Sequence, residues 1–178
     1  MANQYYLVPN SSGTAFTGTG MTPDGTFPDG VIPCTEEQAK NFQAYVPNMS
    51  TTPPSVVSAP SAQLLAQAQA IQRALIKSSF ITASTANVTD SNGIIWEGGM
   101  QSGNSIFLGC QLAQQAGQTT ITLYDASKAP HSMTIAEGMG VAALIGAAYQ
   151  QALATKNSLY AQIDAATSVA AVQAIVWP

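Results

Sequence analysis

Thr119-Thr120-Ile121-Thr122-Leu123-Tyr124-Asp125-Ala126-Ser127-Lys128-Ala129-Pro130-His131-Ser132-Met133-Thr134-Ile135-Ala136-Glu137 decides how this chain folds. Its first six residues alternate with β-branched side chains, the pattern of a half-buried strand. Asp125 to Pro130 is turn chemistry, and it brings the chain round to a partner strand near His131 to Met133. Thr134 and Glu137 then form a capping box, in which the Thr hydroxyl accepts from the third backbone amide and the Glu carboxylate reaches back. The box opens a long Ala-rich helix, roughly Ile135 to Ile163, with a stripe through Leu144, Ala148, Gln151-Ala152, Leu159 and Ile163. Gly138, Gly140 and Gly146 each cost this helix about 1 kcal/mol against Ala. Close helix approach, within the chain or between subunits, is the expected compensation. Strand, turn, strand and helix in one run predict an α+β domain.

Upstream, Asp90-Ser91-Asn92-Gly93-Ile94-Ile95-Trp96 reads as a turn and short strand, part of a hairpin within residues 79–96 that opens near Phe80 and Ile81. Gly98-Gly99 breaks the chain. Ser102 or Asn104 caps a helix through Ile106, Leu108, Leu112 and Ala113 that Gly117 ends. Before these, Ser61 is the expected cap of a helix with Leu64, Leu65, Ala68, Ile71, Leu75 and Ile76 on its apolar side and Gln63, Gln67 and Gln72 opposite. Downstream, a short helix from Ser168 carries Val169, Val172 and Ile175 toward Trp177-Pro178.

The front of the chain is broken by glycine and proline, with turns at Pro23-Asp24-Gly25 and Pro28-Asp29-Gly30. It therefore reads as short strands, Tyr5-Tyr6-Leu7-Val8 among them. Thr35-Glu36-Glu37-Gln38 is a second capping box, predicting a helix with Ala39, Phe42 and Val46 on one face until Pro47. Residues 47–60 hold four prolines among small polar residues and read as an extended linker. The expected layout is a β-rich module with one helix at 1–46, a Pro-rich linker at 47–60, and an α+β domain at 61–178.

Composition bounds the function. The 178 residues are 46% hydrophobic, enough for a substantial core, yet only 8% are charged, where about 25% is usual. The net charge of -4 comes from singly scattered groups. No basic stripe is present to neutralise phosphates, so nucleic acid is not an expected partner. Few surface ions leave little repulsion between copies, which suits a protein packed against others. No apolar run reaches the ~20 residues of a membrane span, and the Met1-Ala2-Asn3-Gln4 start lacks a basic or apolar signal segment. Synthesis in the cytoplasm with no membrane insertion is the expectation. Cys34 and Cys110 lie far apart with no metal-ligand spacing, and both read as buried free thiols.

Ile71 to Trp177 resembles a domain of unknown function that recurs beside bacteriophage tail-fibre genes. The resemblance is carried by Phe80, Gly93, Trp96, Ala113, Leu123-Tyr124-Asp125, Met133-Thr134 and the stretch Lys156 to Ile163. Tyr5-Tyr6-Leu7-Val8-Pro9 and Val31-Ile32-Pro33-Cys34-Thr35-Glu36-Glu37 resemble the small module that often precedes such domains. The chain departs from the pattern at Leu123, where relatives often carry an aromatic, and in the low charge of its long helix. The resemblance implies residence in the virion tail, tail or fibre proteins as partners, and homo-oligomeric or hetero-assembly. It supplies no catalytic residue.

The chemistry is read in the same direction. His131 is the only histidine, which leaves no multi-histidine metal site, and it is read as a structural turn residue without a His-based triad. Asp125 is read as capping its own turn. Trp96 and Trp177 are read as core anchors in preference to sugar-stacking platforms. Gly98-Gly99-Met100-Gln101-Ser102-Gly103 lacks the basic residue and spacing of a phosphate loop and is read as a flexible connection. The carboxylates are too scattered to nominate a glycosidase pair. No catalytic, cofactor-binding or metal-ligating residue is nominated, no cofactor is expected, and the expected function is a non-enzymatic structural component of a phage tail or tail fibre in host adsorption. A tail-fibre assembly chaperone acting during fibre trimerisation is the alternative.

Overall fold

A computed structural model describes residues 3–23 and 25–178. The predicted Pro23-Asp24-Gly25 turn falls partly outside them, and Met1 and Ala2 lie wholly outside. The chain is α+β and divides into two compact units, residues 1–68 and 69–178.

In the first unit, β1 (Gln4–Pro9) is the centre of an antiparallel sheet, with β2 (Phe16–Thr22) on one side and β3 (Ile32–Cys34) on the other. Leu7, Phe16 and Ile32 make its core. The Thr35 capping box forms as predicted, with Thr35 N–H donating to Gln38 Oε1 and Gln38 N–H to Thr35 Oγ1, and starts α1 (Glu36–Lys40). The helix is shorter than expected. Phe42 lies in a 3-10 turn, Phe42–Ala44, and Val46 in strand β4 (Tyr45–Asn48).

The Pro-rich stretch at 47–60 is not an extended linker. β4 pairs with β5 (Ser55–Ser58), with Val46 opposite Val57 and Pro47 opposite Val56. Tyr45 and Val56 pack on the Leu7 core, so burial overrides the proline bias. The division between units falls further on, inside α2 (Ser61–Ser84). Pro60 O accepts from the Gln63 and Leu64 amides, which puts Ser61 in the first turn and not at the cap.

In the second unit, α2 continues through Phe80 and Ile81, where a hairpin was expected to open, and the hairpin itself is short. It consists of β6 (Val88–Thr89) and β7 (Ile95–Trp96), joined at Asp90. Helix α3 (Met100–Gln115) is capped at Gly99, with no side-chain cap, three residues before the expected Ser102 and five before Asn104, and the chain turns out of it at Gly117 as expected. β8 (Thr120–Tyr124) and β9 (Pro130–Thr134) form the predicted ribbon, with Leu123 opposite His131. Thr134 and Glu137 cap α4 (Ile135–Ala165), and Ser168 caps α5 (Val169–Gln173).

Two cores hold this unit. Trp96, Leu123, Val141 and Ile145 pack together, with Ile106, Ile121 and Met133 around them. Ile76, Leu159 and Ile163 form the other, closed by Tyr160, Ile175 and Trp177. Burying an Ile of this kind contributes about 1.5–3 kcal/mol. Both tryptophans thus pack against a core. Gly138 is the close approach that the helix glycines predicted: a Cβ there would stand 2.7 Å from Cys110 Sγ. Gly140 and Gly146 face open space, so that rationale does not extend to them. Cys110 is buried and Cys34 only partly so, and both are free.

The predicted face of α2 is turned. Gln72 is buried, and its Nε2 donates to Ile175 O, while Gln69 Nε2 donates to Ile163 O at 3.0 Å. Ile71 and Leu75 are instead 53% and 55% exposed. On α3, Gly103 and Cys110 face inward and Leu108 and Leu112 face out.

Candidate functional site

The polar chemistry of the second unit converges where the β6–β7 hairpin, the β8–β9 ribbon and the first turns of α4 meet. Asp90 organises the hairpin. Its Oδ1 accepts from the amides of Asn92 and Ile94 at 2.8 and 3.0 Å, and its Oδ2 accepts from Trp96 Nε1–H at 3.0 Å. These donors, the indole foremost, hold its carboxyl below the usual range. An Asp-led turn therefore satisfies a fully buried indole.

Asp125 does the same for the ribbon turn and adds a second contact. Oδ1 accepts from the Ser127 amide at 2.8 Å, Ser127 Oγ–H at 2.7 Å and the Ala129 amide at 2.9 Å. Oδ2 lies 2.9 Å from His131 Nε2. The His131 bond, followed by that of Ser127, pushes the Asp125 carboxyl well below the usual carboxylate range. The His131 ring meets the edge of Trp96 with centroids 5.5 Å apart. The two turns are further joined by the Ala126 amide donating to Ile95 O at 2.8 Å and by the Lys128–Glu97 ion pair.

The expectation for His131 and Asp125 is thus corrected in part. Asp125 caps its turn, but it also makes an Asp–His pair, for which one histidine is enough. Such a pair orients the base in nucleophilic catalysis, where a hydroxyl or thiol must bond the other ring nitrogen. Among the described residues, none does so. The pair and Trp96 instead clasp the two turns together.

Beside this clasp lies an open groove of about 720 Å3. Ile94, Met133, Val141 and Leu144 give it an apolar floor, and Asp90, His131 and Glu137 stand at its polar side. Glu137 Oε2 accepts from the Thr134 amide at 2.7 Å and from its hydroxyl at 2.8 Å, and the amide bond first holds its carboxyl low. Both carboxylates are charged at neutral pH, and neither Lys nor Arg lines the groove. Gly140 also lines it, with nothing within 4 Å of where its Cβ would stand. The groove suits a group carrying a positive charge next to apolar surface. His131 is the one aromatic ring among the described residues that line it; no Phe, Tyr or Trp ring does. Sequence reasoning missed the groove because its residues are spread over three elements; Glu137 was legible only as a cap.

The Gly-rich loop is not a flexible tether. A Cβ on Gly98 would stand 1.8 Å from Ala86 O, so the loop passes directly over that carbonyl and only glycine fits. Gly99, at φ +96°, leads into α3. Among the described residues no three His, Cys, Asp or Glu side chains converge to hold a metal ion, and no helix is long and apolar enough to cross a membrane. Comparison with protein families, curated proteins and solved structures finds no match to this chain.

Proposed function

We propose that the chain is a non-enzymatic structural component of a bacteriophage tail or tail-fibre apparatus, acting through protein–protein contacts in host adsorption. The observation that carries the contact role is the outward turn of apolar side chains on two helices. Ile71, Leu75 and Ile81 on α2 and Phe107, Leu108 and Leu112 on α3 are between 46% and 57% exposed. Large apolar side chains left this exposed are the kind of surface that a protein partner can cover. With 8% charged residues, little electrostatic repulsion opposes association. The tail attribution rests on the resemblance of Ile71 to Trp177 to the tail-fibre-associated domain, and it places the partners among tail and fibre proteins of the virion, with synthesis in the host cytoplasm. A cleared halo on a host cell-wall zymogram would overturn the non-enzymatic reading.

Quantitative mass spectrometry of purified infectious virions tests the proposal. Near-integer copies matching a tail symmetry are expected. Absence from virions, with recovery on an affinity-tagged fibre protein from infected lysate, would replace it with the assembly chaperone, a role that the acidic, two-unit build also fits.

A further inference from the structure

One wall of the groove is an unpaired strand edge. Among the described residues β8 is the one strand that pairs with β9, and four consecutive β9 residues, Pro130 to Met133, line the groove. Ile135 N–H donates to Thr119 O and Asp125 N–H to Ala129 O. Antiparallel bonds alternate along a strand, so the odd-numbered residues of β9 turn their main-chain groups to β8, and Pro130, Ser132 and Thr134 turn theirs away. Thr134 N–H accordingly donates to Glu137 Oε2. Proline at an outward position costs the ladder no donor. Pro130 O and the N–H and C=O of Ser132 are left with no partner among the described residues. Such an edge is a template for another strand.

The rest of the groove sets what that strand must carry. Ser132 is exposed, while His131 and Met133 are half-buried on the inward side of β9. Adjacent strands share their faces, so residues of an added strand opposite His131 and Met133 would meet the floor of Ile94, Val141 and Leu144. Asp90 and Glu137 line the same groove with their carboxyls held low, and no Lys or Arg does. Glu137 Oε2 takes both bonds from Thr134, and Oε1 has no partner among the described residues. An acidic slot with an apolar floor is complementary to a strand whose inward side chains are aliphatic and basic.

We propose that β9 accepts an extended segment of a different protein as an added strand, held by main-chain bonds to Pro130 O and to Ser132. The segment carries an aliphatic residue on the groove floor and, two positions away, a Lys or Arg beside the carboxylates of Asp90 and Glu137. In strand addition the main-chain bonds supply affinity and the alternate side chains supply specificity. The edge offers two residues, so the contact is modest and depends on the charge to choose its partner. The proposal rests on the reading that the chain works through protein contacts. It does not depend on the phage attribution.

The test is fluorescence anisotropy of labelled, end-blocked heptapeptides on the purified full chain at low salt. In the first probe threonine alternates with an inward set of two valines and a central lysine. The second has glutamate in place of lysine, and the third is the lysine peptide with an N-methylated backbone, which cannot join a ladder. The lysine peptide is expected to bind with a Kd of about 100 μM or tighter, and the other two at least about tenfold more weakly. Ser132→Pro removes the outward N–H without touching the bonds to β8 and is expected to weaken the lysine peptide about tenfold. Glu137→Gln keeps an acceptor for the Thr134 cap and should narrow the preference for lysine over glutamate. If circular dichroism shows Ser132→Pro to be misfolded, the N-methylated peptide makes the same test on wild type. A lysine peptide that does not saturate by about 1 mM, a glutamate or N-methylated peptide that binds as well, or a folded Ser132→Pro that binds normally would each overturn the proposal. So would displacement of the peptide by an equal concentration of butylamine, which would make the groove a small-amine site. A wild-type oligomer in sedimentation velocity that the peptide dissociates would give the edge to a second copy instead, and also overturn it. The virion measurement is independent of this one, so either reading can fail alone.

Discussion

The buried indole of Trp96 donates to Asp90 Oδ2 at 3.0 Å, so the residue that turns the β6–β7 hairpin also satisfies the largest fully buried side chain of the chain. Turn and core are therefore one cooperative unit. Trp96→Ala is expected to lower stability by about 3–5 kcal/mol, the range for removing a buried aromatic. Trp96→Phe keeps most of the apolar volume but loses the donor, and should cost less. Urea midpoints of the full chain check both. A Trp96→Ala change below about 1 kcal/mol would mean that the indole does not anchor this core.

Acid should loosen the same region. Asp90, Asp125 and Glu137 all have carboxyls held below their ordinary values by donors present only in the folded state. A depressed folded pKa adds stability above the unfolded value, about 3.9 for Asp and 4.3 for Glu, and that stability is lost as pH falls toward the folded value. Stability should be level near neutrality and fall below about pH 4. Asp125→Asn should flatten this fall, because Asp125 carries the deepest shift. Urea unfolding at a series of pH values from neutral to acid reads it directly, and an unchanged slope in Asp125→Asn would refute the assignment.

The elements marked by local chemistry were legible in the sequence. Both capping boxes, the ribbon at Thr120–Tyr124 and Pro130–Thr134, and the helix that begins at Ile135 follow from signals within a few residues of one another. What the sequence hid depends on remote partners. Periodicity put Ile71 and Leu75 on the buried side of α2 and Gln72 on the wet side. The structure reverses them, because Gln72 has a carbonyl to meet at Ile175, more than a hundred residues away. The β4–β5 hairpin was masked by its prolines, since nothing local shows that Val56 has the Leu7 core to pack on. The His131–Asp125 pair was within reach: the residues are six apart and flank one turn, and reading Asp125 as a cap alone used only one of its two oxygens.

The Thr134 cap fixes the start of α4 and, with it, the position of Glu137 at the groove. Thr134→Ala removes the acceptor for the Glu137 amide and is expected to cost about 1 kcal/mol, within the usual range of 0.5–2 for an N-cap. Thr134→Ser, which keeps the hydroxyl, should recover most of it. Equal losses in both variants would show that the methyl group, and not the cap, matters.

Two glycines two residues apart in α4 should answer the same substitution with opposite sign. At Gly140 a new Cβ meets nothing within 4 Å, so Gly140→Ala gains helix propensity and is expected to stabilise by about 0.5–1 kcal/mol. At Gly138 the Cβ would stand 2.7 Å from Cys110 Sγ and 3.3 Å from Ile121 Cγ2, and Cys110 is itself fully buried. Overpacking of this kind costs about 1–3 kcal/mol, which outweighs the propensity gain. Gly138→Ala should therefore destabilise. Cys110→Ala removes the clashing sulfur, so in the double variant the Gly138→Ala penalty should shrink or change sign, a coupling that a double-mutant cycle of urea unfolding energies measures. Additive effects would place the strain elsewhere than between Gly138 and Cys110.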